Sequence, residues 1–242
     1  MLTELLPNKG QKQLKQTEGL QNRVWDDVMQ RTKPGILIYP IFWLIIAYGS
    51  GFYKSHFILT WTLEFVFILA SFWRFFQFKY LEHWQTSCPT IWAAGLLISV
   101  VTHSLGWGIM FGYSTFIDNT AFSFFMGFSS SGIAAGGTNS FAPKRILATS
   151  FIITFTLPPL IAAIIAGDQW VMASLISVFI VYTLNLAKQQ NREYWRSLTN
   201  EVILEKHSRT DALTSLKNRR FSTKSFMNYV NYLHVTKNTS LY

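Results

Sequence analysis

Phe57–Phe76 reads FILTWTLEFVFILASFWRFF. A helix of about 20 residues crosses the roughly 30 Å of hydrocarbon in a bilayer, and this run has that length. Lipid offers backbone amides no hydrogen-bond partner, so such a run is expected to be α-helix. Glu64 sits near its middle, where an ionisable side chain is costly unless paired or hydrated. A membrane-spanning helix carrying one acid at mid-depth sets the frame for the rest of the chain.

Moving outward, the same ruler marks residues 35–53, 91–113, 119–137, 146–166 and 170–187. The stretch at 119–137 differs in quality, because its second half, SSSGIAAGG, is small and hydroxyl-rich rather than greasy. The expected architecture is an all-α membrane protein built on a six-helix transmembrane bundle. Charge distribution agrees. Residues 1–34 carry 10 charged side chains and residues 188–242 carry 14, while the 153 residues between them carry only 9.

Lysine and arginine set the orientation. One set of connections holds Lys9, Lys12, Lys15, Arg23, Arg31 and Lys33, then Arg74 and Lys79, then Lys144 and Arg145, then Lys188, Arg192 and Arg196. The alternate set holds only Lys54. Both termini are therefore expected in the cytoplasm, with the protein multi-pass in a bacterial inner membrane. The net charge of +9 follows these flanks and suits lipid head groups, so no nucleic-acid partner is expected. The single cysteine, Cys88, rules out an intrachain disulfide, and no Cys/His spacing suggests a metal. A polar N-terminal segment, 1–34, precedes the first span, so no cleavable signal peptide is expected.

Three features inside the spans invite function. Glu64 and His103 both fall at mid-span and are candidates for an intramembrane sensing pair facing each other. An ordinary interhelical hydrogen bond is the alternative. Gly132 and Gly136 have the GxxxG spacing that lets helix backbones approach, within the bundle or in a dimer. Pro158-Pro159 removes two amide donors and is expected to kink or break its helix.

After the last span, residues 188–210 run without proline or glycine. Tyr194, Leu198, Glu201 or Val202, and Glu205 recur at alternating spacings of three and four, a short thin coiled-coil seam. The segment is expected to be a signalling helix, with a charged spacer as the alternative. His207 superficially resembles a histidine-kinase phosphoacceptor, but the match needs a deletion and lacks the acidic neighbour.

Next comes RTDALTSLKNRRF, Arg209–Phe221. Asp211, Leu213, Thr214, Leu216, Asn218, Arg219 and Arg220 resemble the opening signature of the GGDEF diguanylate cyclase family, D-x-L-T-G-L-x-N-R-R. Ser215 replaces its glycine, a position where glycine takes the turn more easily, and Lys217 stands where proline is common. From about Asn218, Phe221, Phe226, Val230 and Leu233 give a helix one apolar face. The resemblance implies that residues 211–242 are the N-terminal fragment of an α/β GGDEF domain. It also implies a parent activity joining two GTP into cyclic di-GMP with Mg²⁺, by two domains meeting face to face. That chemistry makes a homodimer, or pairing with a full-length cyclase, the expected assembly.

No GGDEF or GGEEF turn is present, and no Asp or Glu follows Asp211. No catalytic or metal-binding residue is therefore assigned, and the chain is expected to be inactive as a cyclase, truncated near the start of that domain. The competing expectations are a non-enzymatic membrane regulatory protein and a small-molecule transporter.

Overall fold

The computed structural model describes residues 18–80 and 89–209. Among them every regular element is helical and no strand occurs. In order these are α1 (Glu18–Thr32), α2 (Gly35–Gly49), α3 (Phe52–Ser55), α4 (Phe57–Lys79), α5 (Pro89–Tyr113), α6 (Thr120–Ser140), α7 (Arg145–Ala166) and α8 (Trp170–Arg209), with a 3₁₀ turn at Ser114–Phe116 after α5. The chain divides into two compact units, Met1–Tyr194 and Trp195–Tyr242, and all contacts below lie within the first.

Five stretches are long and apolar enough to cross a membrane: Leu20–Gly49, Phe57–Lys79, Thr90–Phe116, Arg145–Ala166 and Trp170–Leu204. The region expected to span at 119–137 does form a helix, α6, of 21 residues. Its glycines and serines keep it below the apolarity of the other five. The turn after α2 also comes earlier than expected, because Gly51 takes φ 71°, a left-handed conformation open to glycine.

The tightest seam joins α5 to α7, and glycine makes it. A Cβ at Gly108 would lie 2.6 Å from the Phe155 carbonyl oxygen and 2.9 Å from that of Thr154. At Gly112 it would lie 3.0 Å from the Pro158 carbonyl oxygen and 3.1 Å from the Ala162 Cβ. Only hydrogen fits at these positions. Pro158 and Pro159 cannot donate to the carbonyls four residues earlier, and those are Thr154 and Phe155. The two freed acceptors thus face the Cα of Gly108, an arrangement suited to Cα–H···O contacts. Alongside, the hydroxyls of Ser104 and Thr154 lie 2.5 Å apart. Of the expected kink or break, a break is absent: α7 continues through both prolines.

α4 is built the other way round. Its buried face carries Thr60, Glu64, Phe67, Ser71, Arg74 and Gln77, spaced at three and four residues as one helical stripe requires. Its exposed face is aromatic and aliphatic, including Ile58 at 81% and Phe65 at 65% exposure. A helix polar inside and greasy outside suits a lipid surround, and water would not select for it.

α1 arises where the sequence pointed only to a polar segment. Val24, Val28 and Met29 are buried, and Trp25 meets Trp92 edge-on with ring centroids 5.0 Å apart. Lys144, at the start of α7, donates to Gln21 at 2.8 Å and lies 4.2 Å from the Trp25 ring centroid. One strip of three to four residues per two turns was enough to seat this helix.

Candidate functional site

Arg74 projects from the polar stripe of α4 and is 3% exposed. By sequence it counted among the cytoplasmic flank charges. The structure turns it inward instead. Its Nη2 donates to the Thr32 carbonyl at the end of α1, at 3.3 Å, while its Nε is buried with no hydrogen-bond partner. Guanidinium has five N–H donors, so one bond leaves most of that capacity unspent among the described residues.

Around this side chain lies a cavity of about 130 Å³. Its wall is assembled from five helices and the turn after α6: Arg31, Thr32, Gly35 and Tyr39 from α1 and α2, Arg74 from α4, Val100 and His103 from α5, and Ile133, Gly136, Gly137, Ser140 and Phe141 from α6 and its end. Among the described residues two arginines and no carboxylate line it.

His103 sits on the same wall, 1% exposed. Its Nδ1 lies 2.8 Å from the Ser99 carbonyl, which requires a proton on Nδ1. Its Nε2 lies 3.1 Å from the Ser71 hydroxyl, whose single proton is shared between Nε2 and the Ile36 carbonyl. Tyr39 packs on the imidazole with centroids 4.8 Å apart, and Phe67 stacks against it at 5.7 Å and 10°. The two aromatic rings also pack on each other, with centroids 5.9 Å apart, so the imidazole sits in one aromatic cluster with a polar neighbour at each nitrogen.

Glu64, the other residue singled out by sequence, shares a face of α4 with Ser71 but stands two turns, about 10 Å, before it. Phe67 lies between. Glu64 is 3% exposed and its Oε2 has no hydrogen-bond partner. Among the described residues His103 bonds to Ser71 and Ser99, and no hydrogen bond joins it to Glu64. Sequence reasoning found His103 and missed Arg74, whose position near the end of a span made it look like an ordinary flanking charge.

The cavity wall continues to α8. The Arg31 guanidinium carbon lies 5.4 Å from the centroid of the Tyr194 ring. The Tyr194 hydroxyl donates to Asp27 at 2.7 Å. Burial first, then the Asp27 carboxylate, pushes the Tyr194 phenol above its ordinary range, so it stays a donor. Beside it, the Asn191 amide donates to the Ala142 carbonyl at 2.6 Å and to that of Pro143 at 3.2 Å. The turn Phe141–Lys144, inside GGTNSFAPKR, thus ties the cavity wall to α8. Burial also lowers the Lys144 ammonium below its ordinary range.

Gly132 and Gly136 make no helix seam here: a Cβ at either would meet nothing within 4 Å. The GxxxG pair that does bring backbones together is Gly108-Ile-Met-Phe-Gly112, on α5. Asp211, Leu213, Thr214, Leu216, Asn218, Arg219 and Arg220 lie outside the described residues, as does the helix expected after them. Among the described residues no group of three or more His, Cys, Asp or Glu comes together. No family model, curated protein or solved structure matches this chain.

Proposed function

We propose that this chain is the membrane signal-sensing region of a diguanylate cyclase. In this reading α6 completes a set of six spans, and both ends lie on the cytoplasmic side of a bacterial inner membrane. The observation that carries the reading is one of position. α8 runs as an unbroken helix for 40 residues, from an apolar start to a charged end at Arg209, and the seven signature residues begin at Asp211. Forty residues amount to about 60 Å of helix, twice what a bilayer needs. Half of α8 therefore projects beyond the membrane and leads into the motif.

Such a helix converts a shift at the bundle into a change in how two output domains meet. The cavity wall reaches α8 through Arg31 on Tyr194 and through Asn191 on the 142–143 carbonyls. Mg²⁺ and GTP belong to the GGDEF core, whose carboxylates this sequence does not contain. The membrane segment supplies sensing and pairing, with itself or with a full-length cyclase.

The test has two parts. The coding sequence beyond the Tyr242 codon is read for a GG[DE]EF turn, and the gene with that continuation is expressed while membrane cyclic di-GMP synthesis is assayed. Activity that changes when Asn191 is replaced supports the reading. A continuation without that turn, together with reporter fusions placing residue 209 outside the cell, overturns it.

A further inference from the structure

We infer that the Arg74 cavity is a binding site for an oxyanion, a carboxylate or phosphate group. The inference rests on charge balance within the cavity and does not depend on the cyclase reading. Arg74 is buried to 97%, and removing a guanidinium from water without a counter-charge is strongly unfavourable. The protein supplies little in return. The Thr32 carbonyl takes one of its donors, and the end of α1 offers at most about half an elementary negative charge. Nε has no partner among the described residues and is itself sealed from the cavity, so a bound anion would meet the Nη side of the guanidinium.

Among the described residues no carboxylate balances it: no Asp or Glu lines the cavity. Asp27, on α1, accepts from Tyr194, and Glu64 stands ten residues, about 15 Å of helix, from Arg74. Arg31, exposed at the rim, adds a second, solvent-screened cation to the same wall. Apolar residues and glycines make up most of the rest of the lining, so the buried Arg74 charge, with no acid among the described lining residues, is what a bound negative charge would complement. Guanidinium is the side chain whose fork matches carboxylate and phosphate oxygens.

Size narrows the class. A cavity of about 130 Å³ is close to the roughly 150 Å³ void known to hold a benzene ring. It takes inside it a group of about six non-hydrogen atoms, such as a phosphate or a short carboxylate; anything larger would have to extend out through its open side. Two sources offer that chemistry: a free small anion, or the head group of a lipid reaching in from the membrane.

The experiment follows thermal unfolding of the full chain in nanodiscs. In phosphatidylcholine discs, sodium phosphate and sodium acetate are titrated at ionic strength held constant with chloride; in a second arm the discs contain phosphatidylglycerol. A free-anion site gives a saturable Tm rise of roughly 3–6 °C at about tenfold excess over Kd in the first arm. A head-group site gives it only in the second.

Arg74→Met abolishes the rise in either arm. Without anion it unfolds no earlier than the wild type, because it also removes the unpaired charge. No rise with any of the three probes, or a rise that persists in Arg74→Met, overturns the site. If Arg74→Met does not fold, Arg74→Lys serves: it keeps a cation without the fork and weakens apparent affinity about tenfold. Unchanged affinity in Arg74→Lys overturns the site equally. Because binding is read on this chain alone, failure here leaves the cyclase reading standing, and the converse holds too.

Discussion

α4 and α7 are both helices of membrane-crossing length, and they bury opposite things. α7 presents Leu147, Ala148, Phe151, Ile152, Phe155, Ala162 and Ala163 to its neighbours. α4 presents Thr60, Glu64, Ser71, Arg74 and Gln77. In lipid, apolar surface gains little by moving from tails to a helix neighbour, so close packing and hydrogen bonds must hold helices together. α7 relies on close packing. α4 relies on polar contacts, not all of which are made, and unmade contacts are where a ligand can enter. The contrast separates a structural seam from a working face.

The largest expected effect lies on the structural side. Gly108→Val should destabilise the bundle by about 3 kcal/mol, since its Cβ would fall 2.6 Å from a backbone oxygen that cannot move aside. Unfolding of the purified protein in mild detergent measures it. A loss below about 1 kcal/mol would mean that α5 and α7 are not held backbone to backbone, and the contrast with α4 would lapse.

A substitution on α4 should have the opposite sign. Glu64→Gln is expected to stabilise by about 1 kcal/mol, because it removes charge from a buried carboxylate whose Oε2 has no partner. Combined with His103→Ala, its effect should add within about 0.5 kcal/mol, as expected for residues without a shared contact. Strong coupling in that double-mutant cycle would restore the pair that mid-span position suggested, and would move the working face toward the N-terminal end of α4.

Much of this was legible in advance. Helix class and five of the six expected span positions followed from apolar length, the stretch at 119–137 forming a helix but not one of the five, and Glu64 and His103 stood out as buried polar residues simply by standing at mid-span. Three things were not. α1 has a strip of three buried apolar residues amid ten charges over residues 1–34, too thin for periodicity to announce. Arg74 sits where flanking charges normally sit, and only the third dimension shows which way it turns. Spacing pointed to Gly132–Gly136, whereas the seam is made by Gly108–Gly112, which has the same spacing. Spacing alone does not say which pair has a helix opposite it.

A smaller effect is expected where the cavity wall meets α8. Tyr194→Phe removes one hydrogen bond to Asp27 and should cost about 1 kcal/mol of stability. Asn191→Ala, which loses its bonds to the 142 and 143 carbonyls, should cost about the same. In a chain carrying an active output domain, both should alter the response to stimulus more than basal synthesis. A loss confined to stability, with the response intact, would place the link to α8 elsewhere.

The smallest effect should come from the other glycine pair, which makes it the sharpest test of the contrast. Gly132→Ala and Gly136→Ala each put a methyl where nothing lies within 4 Å. Alanine also favours helix over glycine by up to about 1 kcal/mol in water. Monomer stability should therefore shift by less than about 0.5 kcal/mol, or rise slightly. The informative readout is association, followed by crosslinking or by energy transfer between labelled copies in nanodiscs. If either substitution weakens self-association while leaving the monomer untouched, the exposed face of α6 works between chains, and small residues serve two distinct ends here: Gly108 and Gly112 closing the bundle, Gly132 and Gly136 joining one bundle to the next. If association is unchanged, their smallness is needed only for the cavity that Gly136 lines, and pairing must be sought along α8.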